Sequence, residues 1–181
     1  MKNYIVLLIF SAVAITPALG AQVSLQAAYD ACGPGEGYDK LLVLNPANIY
    51  TGMLTVTNSV KSCIHGSGAL IHLNMFTYRN SIRAWGQGTV LNIDHCIIRG
   101  ANEGMGLHDG VSGTFVNNTF YDCGYGIYVW DAASATAYNN IIAFGPEGAM
   151  GFARLEGVTT VIHHNDVWQM AGGSYMEYCP G

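Results

Sequence analysis

The stretch AYNNIIAFG at residues 137–145 decides the fold, because it joins a pair of asparagines to a short apolar segment that ends in a glycine. The same shape occurs at residues 115–124 as FVNNTFYDCG and at residues 161–169 as VIHHNDVWQ. A polar doublet therefore precedes an apolar segment about once every two dozen residues. A period of roughly 20 to 50 residues indicates a solenoid or another array of stacked repeats.

Two columns of residues keep this period along the chain. The first column is formed by His95, Asn118, Asn140 and Asn165, at intervals of 23, 22 and 25 residues. The apolar residues two positions further on are Ile97, Phe120, Ile142 and Val167. The second column pairs a glycine with an apolar residue and consists of Gly106-Leu107, Gly126-Ile127 and Gly151-Phe152. Two independent columns with one period indicate true internal repeats.

The local sequence favours strands over helices within each repeat. The segments are short, rich in β-branched and aromatic residues, and separated by Gly, Asn, Asp and Ser, with no helical periodicity. Strands and turns of about 22 residues make one rung of a parallel β-helix, in which rungs stack about 4.8 Å apart. We therefore predict an all-β parallel β-helix whose asparagines form a hydrogen-bonded ladder at a bend. The apolar residue two positions later is expected to fill the core.

The first residues of the chain have the pattern of a secretory signal peptide. Lys2 precedes an apolar run at residues 4–15, and small residues at positions 18 and 20 stand before Ala21. The run is shorter than the roughly 20 residues that span a bilayer, and no later stretch is long and apolar enough. We therefore expect residues 1–20 to be removed and the mature protein to be secreted or periplasmic, without a membrane span.

Composition limits the domain count and the classes of partner. Charged residues make up 10% of the chain, hydrophobic residues 50%, and the net charge is −5, so no nucleic-acid surface is predicted. We expect one domain at residues 21–181, and a monomer. Residues 21–50 would form its N-terminal segment and cap, and residues 51–181 its stacked coils. The helix-like stretch at 25–32 is the candidate cap, because an open solenoid end exposes core and strand edges.

Five cysteines raise the question of disulfides and metals. They are Cys32, Cys63, Cys96, Cys123 and Cys179. Export permits disulfides, and we favour a bridge between Cys32 and Cys63, because it would tie the N-terminal segment to the first β layer. Buried free thiols are the alternative. No CxxC pair occurs, so a structural zinc site is not expected and no metal ligands are assigned.

Three stretches resemble a known family. They are LQAAYDACGPGEGYDKLLVLNPANIYTG from Leu25, VNNTFYDCGYGIYVWDAASATAYNNIIAFG from Val116, and HHNDVWQMAGGSYMEYCPG from His163. Together they resemble secreted right-handed parallel β-helix repeat proteins of the pectate-lyase-like superfamily, which implies that fold. Relatives continue beyond the last stretch, so the resemblance also implies a member truncated at its C-terminus. The superfamily holds polysaccharide lyases, glycoside hydrolases, epimerases, adhesins and proteins without known activity, so it does not decide the function.

A candidate site comes from aligning GLHDG at 106–110 with GIYVWDA at 126–132 and GFARLEG at 151–157. The alignment stacks His108 on Tyr128 and Asp109 on Val129 and Arg154, and it pairs Asp131 with Glu156 on neighbouring rungs. The candidate catalytic residues are His108, Asp109, Asp131, Arg154 and Glu156, and the candidate substrate-binding residues are Tyr128 and Trp130. Two carboxylates roughly 5 Å apart occur in retaining glycosidases. Such a pair could also share a calcium ion.

Three functions remain open at this point. The first is an exported β-helix that binds a polysaccharide or a cell-surface glycan without strong catalysis. The second is a polysaccharide lyase or glycoside hydrolase acting on an acidic polysaccharide, where only a lyase would use calcium and no other cofactor is expected. The third is a non-functional scaffold fragment. Turns of a β-helix are rich in Asp, Glu and Gly, so the carboxylates could equally be solvated surface groups.

Overall fold

The computed structural model of the chain describes residues 20–74, 81–146, 150–154 and 158–175. The predicted signal peptide lies outside these ranges, apart from Gly20. In chain order the elements are β1 (Gln22–Ser24), α1 (Leu25–Ala31), β2 (Lys40–Val43), β3 (Ile49–Thr51), β4 (Leu54–Val56), β5 (Lys61–His65), β6 (Leu70–His72), β7 (Ile82–Ala84), β8 (Val90–Asp94), β9 (Ile97–Arg99), β10 (Glu103–Leu107), β11 (Ser112–Val116), β12 (Thr119–Tyr121), β13 (Tyr125–Val129), β14 (Ser134–Tyr138), β15 (Ile141–Gly145), β16 (Met150–Arg154), β17 (Thr159–His163), β18 (Asp166–Met170) and β19 (Gly173–Tyr175).

The strands form three parallel sheets. The first sheet has the order β1-β3-β6-β9-β12-β15-β18, the second β4-β7-β10-β13-β16-β19, and the third β2-β5-β8-β11-β14-β17. After β1 the chain visits the third, first and second sheets in turn, so each coil contributes one strand to each sheet. The molecule is therefore an all-β parallel solenoid of about six turns, which confirms the predicted fold class.

Register between coils places residues of like character above one another in the core. In the first sheet Phe120 pairs with Ile98 of the preceding coil and with Ile142 of the following coil. All three side chains are fully buried. The predicted apolar column started instead at Ile97, which is 40% exposed on the outer face. The sequence alignment was one residue out of register in that coil.

The bend between the third and first sheets carries the asparagine ladder. The Oδ1 atom of Asn140 accepts the backbone N–H of Asn118 at 3.0 Å, and Oδ1 of Asn165 accepts the backbone N–H of Asn140 at 2.9 Å. The amide of Asn140 also donates to the carbonyl of Phe115 at 2.9 Å. Asn118 and Asn140 are only 1% exposed, so these bonds satisfy polar groups that water cannot reach.

His95 does not belong to this ladder. Its neighbour Cys96 occupies the position, since the Oδ1 atom of Asn118 accepts the Cys96 backbone N–H at 3.0 Å. His95 shares the preceding column, whose members all have left-handed backbone, with Asn117, Asn139 and His164; their φ angles are 51°, 56°, 56° and 53° in chain order. Asparagine adopts this conformation more readily than most residues, which explains the asparagine doublet.

The glycine column is also displaced in one coil. Strand β10 pairs Met105 with Ile127, so Gly104 takes the position that the sequence alignment gave to Gly106. A Cβ on Gly126 would lie 2.6 Å from the side chain of Ile142, and one on Gly104 would lie 2.5 Å from Phe120. Glycine at this column therefore makes room for a large core residue that follows in the chain.

Helix α1 covers the N-terminal end of the core. The Oγ atom of its N-cap, Ser24, accepts the backbone N–H of Ala27 at 3.3 Å. Leu25 and Tyr29 are buried, and the helix contacts β1, β2 and β4, the first strands of the three sheets. This placement agrees with the capping role predicted for residues 25–32. Among the described residues, no helix is long and apolar enough to cross a membrane.

The disulfide predicted between Cys32 and Cys63 is absent, since both residues carry free thiols. The Cys32 sulfur lies 3.1 Å from the carbonyl oxygen of Tyr29 at the end of α1, whereas the Cys63 sulfur lies 3.7 Å from Nε2 of His65. The two thiols therefore have different surroundings. Cys96 and Cys123 are buried free thiols, and burial raises the pKa of both. Cys179 lies outside the described residues.

Candidate functional site

A cleft of about 340 Å³ opens on the outer face of the second sheet. We call it the aromatic cleft, and it is lined by Arg83, Trp85, Glu103, His108, Tyr128 and Trp130, with Asp131 at the end of the set. Alternate residues of a strand point to opposite faces, so the buried Ile82 and Ala84 face the core and leave Arg83 on the outer side. The volume is at the small end of the range for ligand sites.

Stacking of successive coils brings the aromatic side chains of the cleft together. The backbone N–H of His108 donates to Ala84 and that of Trp130 donates to Leu107, which places Trp85, His108 and Trp130 in one column. The rings of Trp85 and His108 are stacked, with centroids 4.2 Å apart and an interplanar angle of 11°. The ring of Tyr128 meets both His108 and Trp130 edge-on, at 5.9 and 5.3 Å.

The floor of the cleft holds a buried ion pair. Arg83 donates two hydrogen bonds to Glu103, from Nε at 2.9 Å and from Nη2 at 3.0 Å, and the two side chains are 20% and 8% exposed. Burial alone would raise the pKa of Glu103, but the neighbouring His108 and the charge and hydrogen bonds of Arg83 outweigh it, so the pKa lies below its ordinary value. Glu103 is therefore held as a carboxylate.

His108 lies beside this pair, and its Nε2 atom has no hydrogen-bond partner. That atom is 3.5 Å from Oε2 of Glu103, which is longer than an ordinary hydrogen bond but close enough for the charges to interact. His108 is only 6% exposed. A Cβ on Gly106 would collide with Glu103 and lie 3.0 Å from His108 Nε2, so the glycine provides the space in which the two side chains meet.

Tyr128 supplies a hydroxyl to the cleft wall. Burial, together with Tyr125 and the negative charges of Glu103 and Asp131, raises the pKa of Tyr128 to about 12. The hydroxyl therefore stays protonated at neutral pH and can donate a hydrogen bond. Its ring also stacks on that of Tyr125, with centroids 5.0 Å apart.

The structure brings together four of the residues singled out from the sequence, namely His108, Tyr128, Trp130 and Asp131. Their stacking differs from the sequence alignment. Gly106, not His108, pairs with Tyr128, and Leu107, not Asp109, pairs with Val129 and through it with Arg154. Asp109 thus aligns with Asp131. Asp109 is exposed and does not line the cleft, whereas Asp131 does.

The predicted pair of Asp131 and Glu156 cannot be placed, because Glu156 lies outside the described residues. Arg154 is the last residue of β16, and only its backbone is described. A calcium ion shared by Asp131 and Glu156 therefore stays a prediction.

Three residues of the cleft, Arg83, Trp85 and Glu103, were not placed in the candidate site from the sequence. All three precede the coils in which the asparagine pattern is clear. Aligning EGMGL at 103–107 with YGIYV at 125–129 would have placed Glu103 beside the aromatic residues. The two glycines in EGMGL allow either alignment, so the pattern alone does not choose between them.

Comparison with known proteins agrees with this architecture. A family model described as the right handed beta helix region matches residues 80–180, which is more than half of the chain and includes β7 to β19. No curated protein and no solved structure matches the chain. The matched region includes every residue that lines the aromatic cleft. The chain therefore belongs to the right-handed β-helix family.

Proposed function

We propose that this protein binds a neutral oligosaccharide in the aromatic cleft and does not cleave it. Sugars present apolar C–H faces and a rim of hydroxyl groups, so their sites combine aromatic surfaces with a few fixed polar groups. Trp130, which is 36% exposed, and Tyr128 offer the aromatic surfaces. Trp85 and His108, stacked on one another, extend them onto the preceding coils.

The observation that carries the proposal is the set of aromatic rings that line one cleft on successive coils. Tyr128 meets His108 and Trp130 edge-on at 5.9 and 5.3 Å, and Trp130 is 36% exposed. The raised pKa of Tyr128 keeps its hydroxyl protonated at neutral pH, so it can donate a hydrogen bond to a sugar hydroxyl. An aromatic surface beside a neutral donor is the combination that suits a neutral sugar.

Charge favours a neutral ligand over an acidic one. Arg83 is the one cation among the described lining residues. Its Nε and Nη2 atoms both donate to Glu103, so these two atoms are not available to a ligand carboxylate. Asp131 adds a negative group to the cleft, and the chain carries a net charge of −5. A uronate would be repelled, which argues against the acidic polysaccharide considered from the sequence.

The ionisation of Glu103 supports binding without turnover. A general acid for glycoside cleavage needs a raised pKa, whereas the pKa of Glu103 is lowered by its hydrogen-bond and charge partners. A lyase needs a basic side chain free to take a proton, and Arg83 is held by its two bonds to Glu103. The same buried pair has the form of a rigid floor for a ligand.

Export remains part of the proposal. Its support is the sequence at residues 1–20, where a basic residue, an apolar run and small residues occur in the order of a secretory signal. A glycan-binding protein at the cell exterior or in the periplasm would meet polysaccharides and surface glycans directly.

The test is a panel of immobilised neutral and acidic oligosaccharides probed with three forms of the protein. Wild type should retain at least one neutral oligosaccharide without releasing products. Trp130→Ala should weaken that binding about fivefold, through loss of a stacking surface worth roughly 1 kcal/mol. Trp168→Ala is the matched control, because Trp168 is 54% exposed on the first sheet, away from the cleft, and its loss should change nothing. Equal losses in both variants, retention of uronates only, or cleavage of the ligand would contradict the proposal.

A further inference from the structure

A second group of polar side chains lies on the outer face of the third sheet. It consists of Cys63, His65 and Asp94, and we call it the Cys63 cluster. Glu36, from the segment between α1 and β2, approaches it from the side. The group opens into a cavity of about 310 Å³ and shares no residue with the aromatic cleft.

Strand geometry explains why these three residues meet. Cys63 and His65 are two positions apart on β5, so their side chains point to the same face. His65 pairs directly with Asp94 of β8 on the next coil, and paired strands lie about 4.8 Å apart. One thiol, one imidazole and one carboxylate are therefore held together by the register of two adjacent rungs.

The distances within the cluster are short. One ligand atom from each of the three residues lies within 4.8 Å of the other two. The Cys63 sulfur is 3.7 Å from Nε2 and 3.9 Å from Nδ1 of His65. The imidazole also contacts a carboxylate at each nitrogen, with Nδ1 next to Asp94 and Nε2 at 3.2 Å from Glu36.

We propose that Cys63, His65 and Asp94 bind one zinc ion. Thiolate, imidazole and carboxylate are the three side-chain ligands that zinc takes in proteins. With zinc–sulfur and zinc–nitrogen bonds of about 2.3 and 2.0 Å, a tetrahedral site separates sulfur from nitrogen by about 3.5 Å, near the 3.9 Å between Cys63 Sγ and His65 Nδ1. It separates nitrogen from a carboxylate oxygen by about 3.3 Å, so the Asp94 side chain would move back from Nδ1, which it contacts at 2.5 Å here. An ion would replace the proton between His65 and Asp94. The fourth position would fall to water, since Glu36 contacts the other ring nitrogen of His65, Nε2.

The surroundings of Asp94 support this assignment. Its second oxygen, Oδ1, lies 2.9 Å from Nδ1 of His95, so the carboxylate is oriented by an imidazole on each side. Partners of this kind fix the direction of metal ligands and typically affect affinity by about 10- to 100-fold. His95, which does not belong to the asparagine ladder, thus has a place as a positioning residue for Asp94.

The next coil of the third sheet lacks these thiol, imidazole and carboxylate groups at the matching positions. Following the same columns along the third sheet, Asp94 pairs with Val116 of β11, and Asn92, the partner of Cys63, pairs with Thr114. A thiol next to an imidazole and a carboxylate is therefore not a regular feature of the repeat.

The first experiment measures zinc binding by equilibrium dialysis of the purified, reduced and metal-free protein. Wild type should bind one zinc ion per chain. Cys63→Ser and Asp94→Asn should each weaken binding by more than about 100-fold, since they remove a ligand and not merely its support. The matched controls Cys32→Ser and His72→Asn remove a free thiol and an exposed imidazole elsewhere, and should leave binding unchanged. Equal zinc binding by wild type and both cluster variants, or none by wild type, would overturn the proposal.

A second experiment needs no substitution, so it holds even where a variant fails to fold. Cobalt(II) takes tetrahedral zinc sites and absorbs strongly in the near ultraviolet only when a thiolate is among its ligands. One equivalent of cobalt added to the wild-type protein should produce that absorption, and zinc should abolish it by displacement. Cobalt binding without the thiolate absorption would exclude Cys63 as a ligand and contradict the proposed site.

Discussion

The aromatic cleft and the Cys63 cluster are both built on outer faces of the solenoid, yet they are chemically opposite. The cleft stacks Trp85, His108 and Trp130 over three successive coils above a buried ion pair. The cluster has a thiol and a carboxylate around His65, which is 31% exposed. The same backbone register produces both, because it decides only which residues are neighbours. The ligand that each surface suits is decided by the side chains placed there.

The two regions also differ in how their charges are held. Glu103 is 8% exposed and its partner Arg83 20%, whereas Glu36 is 65% exposed beside His65. At the cluster, burial and the charges of Asp94 and Glu36 raise the pKa of Cys63 to about 11, so its thiol is protonated at neutral pH. A metal would have to displace that proton. The ion pair of the aromatic cleft is thus in place before a ligand binds, whereas the Cys63 thiol would lose its proton when a metal binds.

The largest difference in stability between the two regions is expected when one carboxylate is removed from each. Glu103→Ala leaves Arg83 buried without a counter-charge and should lower the free energy of unfolding by about 3 to 5 kcal/mol. Glu36→Ala is the matched change at the cluster and should cost about 1 kcal/mol or less, because its ion pair is exposed to solvent. Urea unfolding of both variants measures the difference. Similar losses in the two would show that the ion pair in the cleft is not structurally distinct.

A smaller effect is expected from pH. The pKa of Glu103 is lower in the folded protein than in the unfolded chain, so the unfolded chain binds the proton more readily. Its contribution to stability is therefore complete above about pH 4.5 and is lost as pH falls through the folded pKa. A tenfold difference in proton affinity between the folded and unfolded states corresponds to about 1.4 kcal/mol. Glu103→Gln should show a flatter decline of stability in this acid range, measured by unfolding at several pH values; a parallel decline would contradict the lowered pKa.

The fold could be predicted from the sequence because a solenoid repeats its information. Asn118, Asn140 and Asn165 recur at one position, and the structure joins them in a single ladder. Each coil tests the alignment of the one before, so one misplaced coil does not obscure the pattern. The capping helix could be predicted for a local reason, namely a short helical stretch ended by the Gly-Pro-Gly at residues 33–35.

The sites could be predicted only in part, because they depend on register to a single residue. Choosing His95 over Cys96 and Gly106 over Gly104 left the period intact but moved the side chains that stack on one another. Glu103 and Arg83 lie on neighbouring coils and meet beside Gly106. The segment EGMGL contains two glycines, so the sequence does not show which of them takes that position. The Cys63 cluster has no repeated counterpart, so no column pointed to it.

The most direct test of the account is a titration of the protein's tryptophan indole signals in a ¹H–¹⁵N NMR spectrum. The chain has 3 tryptophans, of which Trp85 and Trp130 lie in the aromatic cleft and Trp168 lies on the first sheet. Single Trp→Phe variants assign the three signals. Adding the neutral oligosaccharide retained on the panel should shift the signals of Trp85 and Trp130 and leave that of Trp168 in place. A shift of Trp168 alone, or no shift of any signal at saturating oligosaccharide, would contradict the assignment of the cleft as the binding site.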